Sequence, residues 1–207
     1  MRALILGCSH AEGSEMGTKD YGRANSYPML LAERLGYVAD NRAIGGGSTD
    51  AMFRIFESEH KNYNAVIACW TGHNRTEAWH NNTWIPFAPG SDGGALQLYQ
   101  QQWIVHHTDH ETGRLNKIKN IMALNALAQA HGVKVVNVNS FWPVHDYAWP
   151  SDVHWPVPVD FWDWANAQGY ARTPWGHFDR DAHCAFADYI LRILPRSSEE
   201  EQSVDNR

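Results

Sequence analysis

Apolar and polar positions along the chain form blocks that predict strands and helices in alternation. Short apolar runs predict strands at 2–7, 37–41, 65–70 and 133–138. The run at 65–70 is apolar at every position, which favours a strand that is covered on both faces. Helical spacing and end signals predict helices that start at Ser26 and Ser48 and stop before Gly36 and near His60, with others at 95–107, 113–131, 159–168 and 180–194.

The order of these elements predicts an α/β fold with three layers, in which helices cover both faces of a parallel sheet. The sheet has four strands, or five if one lies hidden within 141–161. Polar or proline-containing stretches predict loops at 14–25, 71–94 and 140–158. We expect one domain at 1–194, followed by a disordered acidic tail at 195–207.

Composition narrows the classes of function that suit the chain, and leaves its oligomeric state open. Its 207 residues are 43% hydrophobic and 19% charged, a balance typical of one soluble globular domain. The net charge of −6 does not favour binding to the phosphate backbone of nucleic acid. No apolar run reaches the roughly 20 residues of a membrane span. We find no secretory signal, and the three cysteines are odd in number, so we expect a cytoplasmic protein with reduced thiols.

Residues that could take part in catalysis follow the predicted strands. These positions are informative, because ligands bind at the carboxyl ends of the strands in a parallel sheet. Ser9 follows the first strand and is a candidate nucleophile. The glycine turn at 45–47 and the Asn74 amide can donate hydrogen bonds to a developing oxyanion, and a histidine before the last helix can act as the base. This combination suits acyl transfer and needs no metal or organic cofactor.

Four sequence blocks resemble those of the SGNH, or GDSL-type, esterases and lipases. The blocks are Gly7-Cys8-Ser9-His10-Ala11-Glu12-Gly13, Asn41-Arg42-Ala43-Ile44-Gly45-Gly46, Gly72-His73-Asn74-Arg75 and Gly176-His177-Phe178. The resemblance implies a flavodoxin-like sheet, Ser9 as nucleophile, His177 as base, and an oxyanion hole formed by Ser9, Gly46 and Asn74. The segment 25–28 is also similar to SGNH-like proteins of bacteriophages, so a viral protein of this kind would be virion-associated.

The third catalytic group is left unassigned by this resemblance. The family places an aspartate two or three residues before its histidine, where this chain has Trp175 and Pro174. A backbone carbonyl could orient the imidazole instead, or Asp160 or Asp163 could supply a carboxylate.

A different alignment makes His183 the base, with Asp179 as its neighbour. We favour His177, because it precedes the last helix and can reach Ser9, whereas His183 lies on the helix itself. His106 and His110 could share a helix face as metal ligands, but a solvated helix end is the simpler interpretation.

Six of the ten tryptophans lie between 142 and 175, and no single period fits them all. Some suit a core, and the others suit an aromatic wall beside the crevice that stacks on a sugar. We expect His10, His73 and Trp175 to contact substrate. We expect Arg75 and Glu77 to form a surface ion pair, the alternative being that they bind a substrate carboxylate.

The sequence therefore predicts a serine esterase that acts on a small-molecule or glycan ester, such as a carbohydrate O-acetyl group. The alternative is a non-catalytic or weakly active glycan-binding or virion-associated module on the same fold. The missing aspartate and the many tryptophans favour this alternative.

Overall fold

A computed structural model describes residues 1–87, 110–144, 147–149, 153 and 159–194. The strands are β1 (Arg2–Leu6), β2 (Val38–Asn41), β3 (Ala65–Trp70), β4 (Thr76–His80), β5 (Thr83–Phe87) and β6 (Lys134–Asn139). The helices are α1 (Ser9–Glu12), α2 (Lys19–Asn25), α3 (Tyr27–Arg34), α4 (Thr49–Glu59), α5 (His110–Ala130), α6 (Phe161–Ala167) and α7 (Arg180–Ile193), and a 3₁₀ turn spans His60–Asn62.

The main sheet is parallel and has the order β2-β1-β3-β6. The chain passes from β1 to β2 on one side and then returns to add β3 on the other side of β1. In such sheets a crevice opens at the carboxyl ends of the two strands where the order reverses. Here those strands are β1 and β3, which lead directly to Ser9 and to Thr71-Gly72. The predicted parallel sheet is confirmed.

Helices cover both faces of this sheet, as the alternation of buried side chains along the strands requires. On one face Ile5 and Ile67 pack with α3, α6 and α7, and Phe161 and Phe186 fill the centre of that core. On the other face Leu4, Leu6, Val66 and Trp70 pack with α4 and α5. The predicted arrangement of three layers is confirmed.

A helix, α2, occupies part of the segment 14–25, where the sequence predicted a loop. Its start is capped by Thr18, whose side chain accepts a hydrogen bond from the Tyr21 N–H (3.3 Å). A Cβ atom on Gly13 would lie 2.0 Å from the Gly22 carbonyl oxygen, so only glycine permits α2 to cross the end of α1 this closely. The glycines that suggested a loop therefore serve close packing.

A β-hairpin formed by β4 and β5 occupies most of the described part of 71–94, which was also predicted as a loop. Asn81 and Asn82 adopt left-handed conformations (φ +45 and +58), as a two-residue hairpin turn requires. Trp79 and Trp84 face each other across the strands, with ring centroids 5.3 Å apart. Cross-strand aromatic contact of this kind stabilises a short hairpin.

The remaining predictions concern other segments, the cysteines and membrane spans. In the segment that could have held a fifth strand, 141–161, the described residues make a single parallel bridge, between Asn139 and Asp160. The helix predicted at 95–107 and the tail at 195–207 lie outside the described residues. The cysteines are free, as expected. In the described part of the chain, none of the helices has the length and apolar character needed to span a membrane.

Candidate active site

Ser9 lies at the carboxyl end of β1, as the first residue of the one-turn helix α1, and is 8% exposed. A Cβ atom on Gly7 would lie 2.5 Å from the Ala11 Cβ and 2.9 Å from the Cys69 Cβ. Glycine at this position therefore lets the turn pass close to β3. The backbone N–H groups of Gly13 and Ser14 both donate to the Ser9 carbonyl (2.9 Å each), which ends the helix.

His177 lies in a tight turn before α7, where its imidazole meets a carboxylate that the sequence interpretation missed. Its Nδ1–H donates to Glu15 Oε2 at 2.5 Å. The Thr173 hydroxyl donates to the same oxygen (2.5 Å) and accepts a hydrogen bond from the His177 backbone N–H (3.0 Å). Glu15 itself has a left-handed backbone (φ +67), which turns its side chain back toward this histidine.

The Glu15 carboxylate fixes the state of the imidazole. Burial raises the pKa of this carboxyl, but hydrogen bonds from Thr173 and His177 outweigh burial, so the pKa lies below its ordinary value of 4.5. An ionised carboxylate can only accept, so the proton of neutral His177 lies on Nδ1. The Nε2 lone pair is then available to take a proton, which is the state that a general base requires.

His10, the residue after Ser9, lies close to this pair, because its ring centroid is 5.0 Å from that of His177. It is 1% exposed, and neither ring nitrogen has a hydrogen-bond partner among the described residues. Burial, and then the nearby charge of His177, hold the pKa of His10 well below its ordinary value. The predicted contact of His10 with substrate stays a prediction; in this structure the ring is buried and packs against Phe141 and Phe161.

The loop that carries Gly46 is fastened beside the Ser9 turn. The Asn41 amide donates to the Ala11 carbonyl (2.8 Å), and the Ile44 N–H donates to the Gly7 carbonyl (3.1 Å). Gly46 has a left-handed conformation (φ +73), which glycine adopts without strain. The predicted oxyanion glycine thus lies on a loop that is tied to both ends of the nucleophile turn.

Asn74 follows β3 on a loop that packs against the start of α5. A Cβ atom on Gly113 would lie 2.5 Å from the His73 carbonyl oxygen, so helix and loop touch backbone to backbone. His73 is half-buried, and its ring centroid lies 5.1 Å from that of Trp142. Asn74 and His73 follow the carboxyl end of β3, the strand that pairs with β1 and therefore ends beside the one that leads to Ser9.

The alternative base and acids have other roles. His183 is fully buried on α7, and its Nδ1 accepts a hydrogen bond from the Tyr27 backbone N–H (3.1 Å). Burial lowers the pKa of His183 to about 3. Asp179 caps α7 by accepting from the N–H groups of Asp181 and Ala182 (3.1 and 3.2 Å). The geometry therefore favours His177 over His183 as the base.

Asp160 and Asp163 lie at the start of α6, and Asp163 is exposed. Asp160 is buried and accepts hydrogen bonds from the backbone N–H groups of Asp163 (2.7 Å) and Trp142. Burial raises the pKa of Asp160 to about 6. It caps a helix and holds the loop after β6, whereas Glu15 is the carboxylate that contacts His177.

A buried lysine, which the sequence interpretation also missed, holds the same loop. Lys117 on α5 is fully buried and donates to the carbonyls of Phe141 (3.0 Å) and Trp142 (2.9 Å). Burial lowers the pKa of Lys117 from 10.5 to about 7, against the opposing attraction of the Asp160 charge. These contacts fix a strained loop, since Trp142 has a left-handed backbone (φ +44).

The tryptophans divide between the core and the site. Trp164 packs on Phe186 and Tyr189 in the core. Trp142 is 48% exposed, and a Cβ atom on Gly72 would lie 3.1 Å from its ring. Trp175 is 86% exposed, at the tip of the turn that carries His177. Two exposed rings therefore lie near the candidate site: Trp142 on the loop after β6, where it packs on Gly72, and Trp175 on the turn that carries His177.

The predicted ion pair of Arg75 with Glu77 is wrong. Glu77 instead accepts two hydrogen bonds from Arg54, at 2.8 and 2.7 Å. This bidentate pair joins the hairpin to α4 and leaves Arg75 near the site. The candidate metal ligand His106 lies outside the described residues, and within these residues no three His, Cys, Asp or Glu side chains gather as ligands.

Comparisons with known proteins address the fold. No protein-family model and no curated protein sequence matches the chain. It is similar in structure to the esterase EstA from Pseudoalteromonas sp., with 13% identity, a TM-score of 0.54 and coverage of 93% of this chain and 96% of EstA. For TesA the corresponding values are 15%, 0.54, 94% and 98%.

A protein of the G-D-S-L family from Desulfitobacterium hafniense is also similar, with 11% identity, a TM-score of 0.50 and coverage of 93% of this chain and 99% of that protein. These structures do not test the resemblance to bacteriophage proteins, which stays a prediction. Each likeness extends over nearly the whole of both chains, and the four-stranded parallel sheet with helices on both faces agrees with it. The chain therefore has the fold of the SGNH, or GDSL-type, esterases and lipases.

Proposed function

We propose that this protein is a serine esterase with Ser9 as nucleophile, His177 as base and Glu15 as the acid that orients the base. The contact of Glu15 with His177 Nδ1 carries the proposal, because it supplies the group that the sequence lacks in its usual place. The similarity in fold to EstA, an esterase, supports ester bonds as the target.

In the proposed mechanism, Ser9 Oγ attacks the ester carbonyl as His177 Nε2 takes its proton. The backbone N–H groups of Ser9 and Gly46 and the Asn74 amide donate to the oxyanion. The imidazolium is stabilised by Glu15 and then gives its proton to the leaving alcohol. Water, activated by the same histidine, attacks the acyl-enzyme; the bond between the acyl group and Ser9 Oγ breaks, the carboxylic acid leaves, and the Ser9 hydroxyl is restored.

The exposed tryptophans suggest what carries the ester. Trp142 and Trp175 present open aromatic faces on the two loops beside the proposed site. Aromatic faces bind the C–H faces of sugar rings while the hydroxyl groups stay in water. We therefore propose an O-acetyl group of a carbohydrate as the ester, with Trp175 as a substrate contact.

The test is turnover of para-nitrophenyl acetate and of acetylated sugars by purified protein. Ser9→Ala should lower kcat/KM by about a thousandfold or more while thermal unfolding stays that of the wild type. Ser58→Ala is the matched control, since Ser58 is exposed on α4 and its hydroxyl donates only within that helix. Turnover that survives in Ser9→Ala would remove Ser9 from the mechanism.

The same experiment separates the esterase from a binding module. A folded wild type that turns over no ester, yet is retained on glycans, would favour the module. Retention would then be lost in Trp175→Ala and kept in Ser9→Ala.

A further inference from the structure

Arg75 directly follows Asn74, and its guanidinium group is not fully paired within the described part of the chain. Its Nη1 is buried and has no hydrogen-bond partner, and no carboxylate in the described part of the chain pairs with it. Glu77, the acid nearest in sequence, is occupied by both nitrogens of Arg54. The contact that Arg75 does make is with the face of Phe141, 5.1 Å from its Cζ to the ring centroid.

Through Phe141, this guanidinium lies close to the residues that follow Ser9 and precede Trp142 in the chain. The Phe141 ring that it covers lies 4.6 Å from the ring of His10, the residue after Ser9. Burial is the main cause of the lowered pKa of His10, and the charge of Arg75 lowers this pKa further. Phe141 also precedes Trp142, which packs on Gly72 just before Asn74.

Among the described residues, no carboxylate pairs with Arg75, whereas the carboxylates near the site have partners. Glu15 is matched by Thr173 and His177, and Glu12 by Lys19 and Arg23. An aromatic face compensates a cation only in part, and a buried donor without an acceptor is costly. A guanidinium forms its best hydrogen bonds with planar anions, in particular with carboxylates that accept two of them side by side.

We propose that Arg75 binds a carboxylate on the sugar part of the ester, so that the preferred substrate is an O-acetylated acidic sugar such as a uronic acid. This inference rests on the proposed esterase function. The carboxylate binds beside Trp142, which stacks on the ring, while the acetyl carbonyl lies at Ser9 and Asn74.

A pair of substrates that differs only in the carboxylate tests the proposal. Glucuronic acid and glucose, each acetylated at the same hydroxyl, are compared by the rate of acetate release. The wild type should prefer the uronic acid by about tenfold or more in kcat/KM, and added salt should reduce this preference. Arg75→Gln should remove the preference by lowering only the rate on the uronic acid, and Arg75→Lys should keep part of it.

The controls separate recognition of the anion from other roles of Arg75. Arg192→Gln, at an exposed position near the end of α7, should keep the preference. An equal loss on both sugars in Arg75→Gln, or no preference in the wild type, would overturn the proposal.

Failure of the esterase function gives a different result. If Ser9→Ala and the wild type are equally inactive on all esters, binding of glucuronic acid is measured by calorimetry instead. Binding that Arg75→Gln abolishes would keep Arg75 as an anion-binding residue in a module without catalysis. Binding that is unchanged, or is absent in the wild type, would reject its role.

Discussion

Replacement of Glu15 by glutamine isolates the charge that the proposed mechanism needs. All three hydrogen bonds to this side chain end on one oxygen, Oε2: two are from His177, through Nδ1 and the backbone N–H, and one is from Thr173. The carbonyl oxygen of glutamine can take the place of Oε2 and keep the same donors. The variant therefore keeps the tautomer of the base and loses only the negative charge.

The magnitude follows from the distance between the charges in the transition state. The imidazolium of His177 forms only as Ser9 attacks, so Glu15 stabilises the transition state and not the resting enzyme. Two unit charges about 4 Å apart attract by about 4 kcal/mol at an effective dielectric constant near 20. Part of this attraction survives in the amide dipole, so we expect kcat to fall by about 10²- to 10³-fold with KM nearly unchanged. In Glu15→Ala nothing holds the proton of His177 on Nδ1, so kcat should fall by about 10⁴-fold.

The assay is initial-rate kinetics on para-nitrophenyl acetate near neutral pH, with unfolding midpoints measured in parallel. Asp163→Asn is the matched control: it makes the same change at an exposed carboxylate that the sequence also offered as the acid. That control should retain full activity. The assignment of Glu15 would be refuted if Glu15→Gln kept kcat within about threefold of the wild type, or if only KM changed.

Three further predictions concern stability and loop position. The lowered pKa of Glu15 stabilises the folded protein, and this stabilisation is fully present above pH 4.5, the ordinary pKa of the group, and is lost at lower pH. The difference in unfolding free energy between wild type and Glu15→Gln should therefore shrink when it is measured at successive pH values below 4.5. The pKa of Lys117 is lowered from 10.5 to about 7, so between these pH values the unfolded chain binds one more proton than the folded protein. The unfolding free energy of the wild type relative to Lys117→Met should therefore rise with pH in this range, by at most about 1.4 kcal/mol per pH unit. A difference that does not change with pH would contradict the burial of this amine. Gly113→Ala places a Cβ atom 2.5 Å from the His73 carbonyl oxygen, so the Asn74 loop must shift and esterase kcat should fall. In the control Gly36→Ala, the added Cβ meets no atom within 4 Å, so only the unfolding free energy should change.

The sheet could be predicted from the sequence, and the proposal of Ser9 as nucleophile could be made from it, because both depend on local patterns. Apolar runs specify the strands, and the chain order of strands and helices specifies a parallel sheet. Ser9 follows from its place after the first strand. Gly46 and Asn74 follow from the ends of the next strands, since parallel strands bring their carboxyl ends to one edge.

Glu15 could not be predicted, because its partner lies 162 residues away and a loop carries it. Its position depends on the left-handed turns at Gly13 and at Glu15 itself, and the sequence indicates neither with certainty. A polar segment rich in glycine was interpreted as a loop, although Gly13 and Gly22 serve the packing of two helices. The available signal was that Glu15 is an acidic residue close in sequence to Ser9.

Burial of charged side chains was equally hidden. Lys117 lies in a helix with many polar residues, where a lysine normally faces water, yet two carbonyls and Asp160 surround it. The spacing of the tryptophans could not show which of them lie in the core and which are exposed, because Trp142 and Trp175 lie on irregular turns while Trp164 lies on a helix. In each case the outcome depends on contacts between distant segments, which a local pattern does not record.

The most direct test of the central claim is labelling by a fluorophosphonate probe, which reacts with serines that a base has activated. Wild type, Ser9→Ala, His177→Ala and Glu15→Gln are compared at equal concentration, with heat-denatured wild type as the blank. The account predicts labelling of the wild type, none in Ser9→Ala or His177→Ala, and a slower rate in Glu15→Gln. A folded wild type that does not react, or labelling that persists in Ser9→Ala, would contradict an activated serine at the end of β1.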